Sequence, residues 1–216
     1  MTPPTPSTPP TPKAHEHAAK RDWPGYFAAV EGKPARDTLL RALELFAKEP
    51  PADRFAIDLG CGSGRDTLEL LSRGWRVLAI DSSPLAIELL LKKVPPEHLP
   101  RLETLVAPFE GLELPKADLV NASYALPFCD PPAFPRLWQT ITAAIPVGGR
   151  FAGQFLGERD AGAALPDRTH HTPEQLNALL RTFNLEDLKE IENREPGATG
   201  EVKDWHIFHV VAKRRV

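Results

Sequence analysis

The sequence predicts an α/β chain: a doubly wound, seven-stranded, mostly parallel sheet with an antiparallel C-terminal edge strand. Three observations carry this reading. An apolar run, Phe55-Ala56-Ile57-Asp58-Leu59, leads into the glycine loop Gly60-Cys61-Gly62-Ser63-Gly64 and then a helix start. A second apolar run, Val77-Leu78-Ala79-Ile80, ends in the carboxylate Asp81. Beyond it, strand-like and helix-like stretches alternate, as a parallel sheet with right-handed crossovers requires.

The elements follow in order. Residues 2–12 are almost wholly Pro, Thr and Ser, with no apolar surface to offset ordering entropy, so residues 1–13 are expected to be a disordered tail. His15-Glu16-His17 beside it reads as a solvated group, and no metal site is expected. Residues 14–50 form an N-terminal helical segment, broken at Gly32 and Pro34, with Trp23, Tyr26 and Phe27 in its first piece and Leu39, Leu43 and Phe46 on one stripe of its second. Residues 51–216 make the main domain. Arg65–Arg73 is its first helix, and Ser83-Pro84 caps and opens the next, through about Lys93. Leu102–Val106 and Ala117–Ser123 read as the third and fourth strands. Phe134, Leu137, Trp138 and Ile141 trace a helix, and Arg150–Phe155 is a fifth strand. Leu176, Leu179, Leu180 and Phe183 mark a last helix, and Leu185–Glu192 with Asp204–Val211 an antiparallel edge pair around the turn-forming Pro196–Gly200.

The glycine loop defines the chemistry. In a doubly wound sheet it presents backbone N–H groups to a nucleoside, while an acid at the end of the second strand accepts from ribose hydroxyls. A dinucleotide fingerprint needs G-x-G-x-x-G. Here the spacing is G-x-G-x-G, Arg65 stands where the last glycine belongs, and Asp58 lies beneath the loop. That carboxylate repels a diphosphate and attracts a sulfonium or an ammonium. The loop therefore favours S-adenosylmethionine over NAD.

With D-L-G-C-G-S-G-R, A-I-D-S-S-P, Ala117–Ala122 and Pro146–Phe151 in this order, the chain resembles the class I S-adenosylmethionine-dependent methyltransferases, whose sheet is Rossmann-like. Its C-terminal half is also similar to the small-molecule tellurite-resistance and thiopurine types. The resemblance implies methyl transfer by in-line displacement, with S-adenosyl-L-methionine held by Asp58, Gly60, Cys61, Gly62, Ser63, Gly64, Arg65, Asp81, Ser82, Pro108, Phe109 and Asn121. It implies further that the N-terminal helical segment acts as a lid that helps form the acceptor pocket.

Ligands lie outside the carboxyl ends of parallel strands, so the exits of the fourth and fifth strands should face the transferred methyl. Tyr124, Asp160 and His171 are the expected catalytic residues. Trp23, Tyr26, Tyr124, Phe128, Cys129 and His170 are the expected acceptor contacts, and Asp130 is a further titratable group there. For Cys129 a packed, unreactive thiol is the preferred reading, and a contact to a soft acceptor is the alternative.

Of 216 residues, 42% are hydrophobic and 25% charged, with a formal charge of −3. This gives a sizeable core but no broad basic surface for nucleic acid. No apolar run reaches the roughly 20 residues that span a bilayer, so a cytoplasmic enzyme acting on a small neutral or anionic molecule is expected. A non-catalytic cofactor-binding regulatory module and an NAD-dependent oxidoreductase are the alternative readings.

Overall fold

The computed structural model describes residues 22–196 and 202–216; the proline-rich tail, His15-Glu16-His17 and the tip of the last hairpin lie outside them. The elements are α1 (Trp23–Ala29), α2 (Asp37–Phe46), β1 (Phe55–Leu59), α3 (Arg65–Ser72), β2 (Arg76–Asp81), α4 (Pro84–Lys93), β3 (Leu102–Val106), β4 (Leu119–Ala122), α5 (Phe134–Ala144), β5 (Arg150–Gly157), β6 (His170–His171), α6 (Pro173–Leu179), β7 (Phe183–Pro196) and β8 (Val202–Arg214).

The strands form one mixed sheet in the order β3-β2-β1-β4-β5-β8-β7, and the two-residue β6 pairs with the end of β5. The first five strands are mutually parallel, and β8 runs antiparallel to both of its neighbours. The edge pair is thus formed with its last strand on the inside and β7 at the rim. Seven long strands match the expected count, and β6 is a short addition.

Strand alternation divides the core in two. Ile57, Leu59, Ile80, Val120 and Phe151 pack with α5 on one face. Ala56, Val77, Ala79, Leu119 and Ala152 pack with α2, α3 and α4 on the other. At the foot of the sheet a bulge between Leu185 and Asp187 accompanies a tie between Glu186 and the buried Arg150 (2.6 and 3.0 Å), whose Nη1 reaches Glu49 at 2.8 Å. Polar side chains on the α2–α3 face cluster at the opposite, carboxyl end. There Asp58 lies in register with Asn121, and Gln154 with His209.

Candidate active site

The glycine loop is shaped by backbone conformations that suit glycine. Gly60, Gly62 and Gly64 have φ of 71°, 54° and 93°. A Cβ on Gly60 would lie 2.5 Å from the Ala125 methyl, so the exit of β4 packs directly on the loop. The Gly62 amide donates to Asp81 Oδ2 (2.9 Å) and the Ser83 amide to Oδ1 (2.8 Å). Both oxygens are thereby oriented at the end of β2, and burial holds the Asp81 carboxyl above its usual range against those two hydrogen bonds.

Two adjoining cavities open above the carboxyl ends of the strands. The larger, about 330 Å³, runs from Asp81, Ser82, Pro108 and Phe109 past Gly60 and Gly62 to Trp23, Tyr26, Phe27, Tyr124, Phe128 and Asp130. The smaller, about 50 Å³, shares Tyr26, Phe27, Gly60, Gly62 and Ser123 and adds Arg36, Asp58, Cys61, Ser63, Arg65 and Asp66. Its floor is a buried polar network. Thr67 Oγ1 donates to Asp58 Oδ2 (2.6 Å), and Asn121 Nδ2 donates to both Asp58 Oδ1 (2.9 Å) and Asp66 Oδ2 (3.0 Å). Burial, reinforced by the nearby Asp66 charge, pushes the Asp58 carboxyl up to about 7. The Arg36 amide donates to Asp66 Oδ1 at 2.9 Å, and Arg65 Nε donates to the Pro34 carbonyl. These contacts hold the segment before α2 against the loop.

On the acceptor side, α1 lays Trp23 edge-on to Phe128, with ring centroids 4.9 Å apart. Tyr124 takes φ 54°, alone among described non-glycine residues. Its amide donates to Gln154 Oε1 (2.9 Å), and Gln154 Nε2 donates in turn to Thr38 Oγ1 (2.9 Å). The Arg36 guanidinium lies 4.4 Å from the Tyr124 ring centre, yet burial outweighs it and raises the phenol pKa.

Several expected site residues lie elsewhere. Asn121 lines neither cavity and bridges the two carboxylates from below. Gly64 packs on Leu90 behind the loop. Asp160 is buried with its carboxylate turned inward, accepting from the Gly162 amide (2.7 Å), Lys203 Nζ (3.2 Å) and the His206 amide (3.2 Å); it holds the turn after β5. His171 packs against Phe134 and Phe155, and burial lowers its pKa to about 4. That makes it a core residue, while its neighbour His170 is exposed and outside both linings. Cys129 is fully buried, outside both linings, with its thiol pushed up to about 12. It reads as a packed thiol.

The structure also places residues the motifs did not single out. Asp66 directly follows the loop arginine and lines the small cavity. Arg36 and Gln154 carry no local signal, because only the fold brings them to the site.

The Methyltransferase domain family model matches residues 56–149, from β1 to the start of β5. Over this segment the chain is similar to that family. Its curated relative, a probable cobalt-precorrin-6B C(15)-methyltransferase (decarboxylating) of Methanothermobacter thermautotrophicus, is 48% identical over 48 residues, 22% of this chain and 25% of that protein. The chain thus spans about a quarter of that relative. Around that segment, the fold is that of solved S-adenosylmethionine-dependent methyltransferases. The structure of TehB from Haemophilus influenzae superposes with a TM-score of 0.71 at 16% identity, covering 88% of this chain and 66% of that one. The 1,6-didemethyltoxoflavin-N1-methyltransferase of Burkholderia thailandensis, solved with S-adenosylhomocysteine bound, gives 0.62 at 20% identity and covers 98% and 94%.

Proposed function

We propose that the chain is an S-adenosylmethionine-dependent methyltransferase acting on a small molecule. The observation that carries this reading is the charge pattern of the two joined cavities. At one end the Asp81 carboxylate, fixed by two backbone amides, suits ribose hydroxyls, and Phe109 with Pro108 suits adenine. The small cavity sets Asp58 and Asp66 beside Arg36 and Arg65, complementary to an amino-acid zwitterion and not to a diphosphate. The Arg65 Nη1 atom is buried without a hydrogen-bond partner, which fits a carboxylate ligand there.

When bound, the sulfonium supplies an activated methyl group and a neutral leaving thioether. The protein's share is positioning in a water-poor pocket. The Tyr124 phenol, kept neutral by burial, orients the acceptor, while α1 closes the aromatic side, with residues 22–50 acting as a lid. The two free cysteines fit a reducing cytoplasm.

Isothermal titration tests the reading. S-adenosylhomocysteine is expected to bind and NAD to give no heat. Asp81→Ala is expected to weaken S-adenosylhomocysteine by about 1–3 kcal/mol, the cost of unpaired buried hydroxyls, and Asp81→Asn by less. NAD binding without a response to S-adenosylhomocysteine sinks the proposal. Cofactor binding without turnover on any acceptor would instead favour the regulatory-module alternative.

A further inference from the structure

We propose that the acceptor is a small amine, delivered to the site as an ammonium and methylated on nitrogen. The inference rests on the methyltransferase reading and concerns what that reading leaves open, the acceptor class. A neutral or anionic acceptor is the expectation from composition; the lining of the large cavity points the other way.

Beyond Asp81, which serves the cofactor end, the lining holds two more carboxylates, Glu110 and Asp130, and among the described residues no Lys, Arg or His. Both acids act on the adjacent Cys129 thiol, raising its pKa after burial itself, so their fields converge at the β4 exit. Beside Ser123 and Ala125, that wall carries the rings of Trp23, Tyr26, Tyr124 and Phe128. Trp23 stands edge-on to Phe128 (4.9 Å, 77°) and to Tyr26 (6.0 Å, 89°). Ring faces carry negative potential and attract cations. Among the described residues, Arg36 stacks over Tyr124 at 4.4 Å and Arg168 over Phe128 at 4.6 Å, and neither guanidinium lines this cavity. An oxyanion entering here meets carboxylates and ring faces, and no cation in the described lining pairs with it. An ammonium meets the complementary field. The cavity of about 330 Å³ must also house the adenosyl group, which leaves room only for a small acceptor.

The same carboxylates answer a chemical need. An ammonium has no lone pair, so it must give up a proton before attack, and a carboxylate at the pocket wall is placed to take it and pass it to solvent. The free amine nitrogen then forms a bond to the methyl carbon as the carbon–sulfur bond breaks and its electron pair stays on sulfur. A neutral amine and a sulfonium become a methylated ammonium and a neutral thioether, so charge is conserved.

The test uses three probes sharing one ring, 2-phenylethylammonium, 2-phenylethanol and phenylacetate, titrated into the protein saturated with S-adenosylhomocysteine. S-adenosylhomocysteine release from S-adenosylmethionine is followed in parallel with panels of primary amines, carboxylates, thiols and selenite. The expected result is binding of the ammonium at least about tenfold tighter than the carboxylate, with turnover confined to amines. Glu110→Gln should narrow that ratio and Glu110→Lys should reverse it, with S-adenosylhomocysteine affinity measured on each variant to separate cofactor loss from acceptor loss. Phenylacetate binding as tightly as the ammonium, no ammonium binding, a ratio unmoved in both variants, or turnover only with thiols or selenite overturns the inference while the methyltransferase reading stands. Failure of the parent protein to bind S-adenosylhomocysteine overturns both.

Discussion

Asp58 occupies a strand position that would ordinarily be apolar. It is 2% exposed, hydrogen-bonded by Thr67 and Asn121, and shifted to about 7 chiefly by burial. A cationic amine placed near it favours the ionised form, so binding below pH 7 must expel a proton. S-adenosylhomocysteine affinity is therefore expected to rise as pH goes from about 6 to about 8, and titrations in buffers of different ionisation heat should report proton release. Asp58→Asn should flatten that slope. An unchanged slope in the variant would place the cofactor's amine elsewhere. Asp58 and Asp81 were legible in the sequence because each interrupts or ends an apolar run next to glycine. Asp66, Arg36 and Gln154 were not, since their partners lie 55, 30 and 116 residues away and no local pattern encodes such pairs.

The glycine loop joins β1 to α3, and its last glycine also fixes the distance between two helices. Gly64 has φ 93°, and a Cβ there would sit 2.3 Å from Leu90 Cδ1 on α4. Gly64→Ala should then combine backbone strain of about 1–3 kcal/mol with overpacking of about 1–3 kcal/mol. Leu90→Ala in the same chain should relieve the overpacking and leave the strain. A urea double-mutant cycle is expected to show coupling of about 0.5–3 kcal/mol between the sites; strict additivity would mean that α4 shifts freely. The periodicity that revealed these helices also set the strands to within a few residues where apolar alternation is strong. It understated β7 and β8, whose outer ends carry polar cross-strand pairs such as Asn193 with Trp205 and Arg194 with Asp204. At the β5 exit it was strand order that misled. Topology does bring that turn to the carboxyl end of the sheet, but Asp160 and His171 are drawn inward by Lys203 and the Gly162 and His206 amides, and by Phe134 and Phe155. Strand order predicts where a loop emerges, and side-chain direction depends on packing that strand order does not encode.

Across the whole molecule, two buried groups with large shifts, Asp58 and His171, set opposite slopes of stability with pH. Asp58, raised from 3.8 to about 7, binds its proton more tightly in the folded chain, so its contribution is complete below pH 4 and is lost as pH rises towards 7. His171, lowered from 6.5 to about 4, behaves inversely. Its neutral ring is at home against Phe134 and Phe155 above pH 6.5, and the unfolded chain takes up the proton first as pH falls. Between pH 4 and 6.5 the slopes of these two groups offset each other, so the contribution of either is hidden in the parent protein. Replacing the histidine exposes the hidden term. His171→Leu leaves the apolar packing and removes the buried base, whose shift at pH 5 is worth about 2 kcal/mol from the two pKa values. The variant should therefore gain about 2 kcal/mol relative to the parent on going from pH 8 to pH 5, measured by urea denaturation at each pH. The gain is a difference between two conditions in one pair of proteins, so any change in packing from the substitution cancels. A pH-independent difference between variant and parent would mean that the ring is protonated or hydrated in the folded state, and that the inward placement of His171 is wrong.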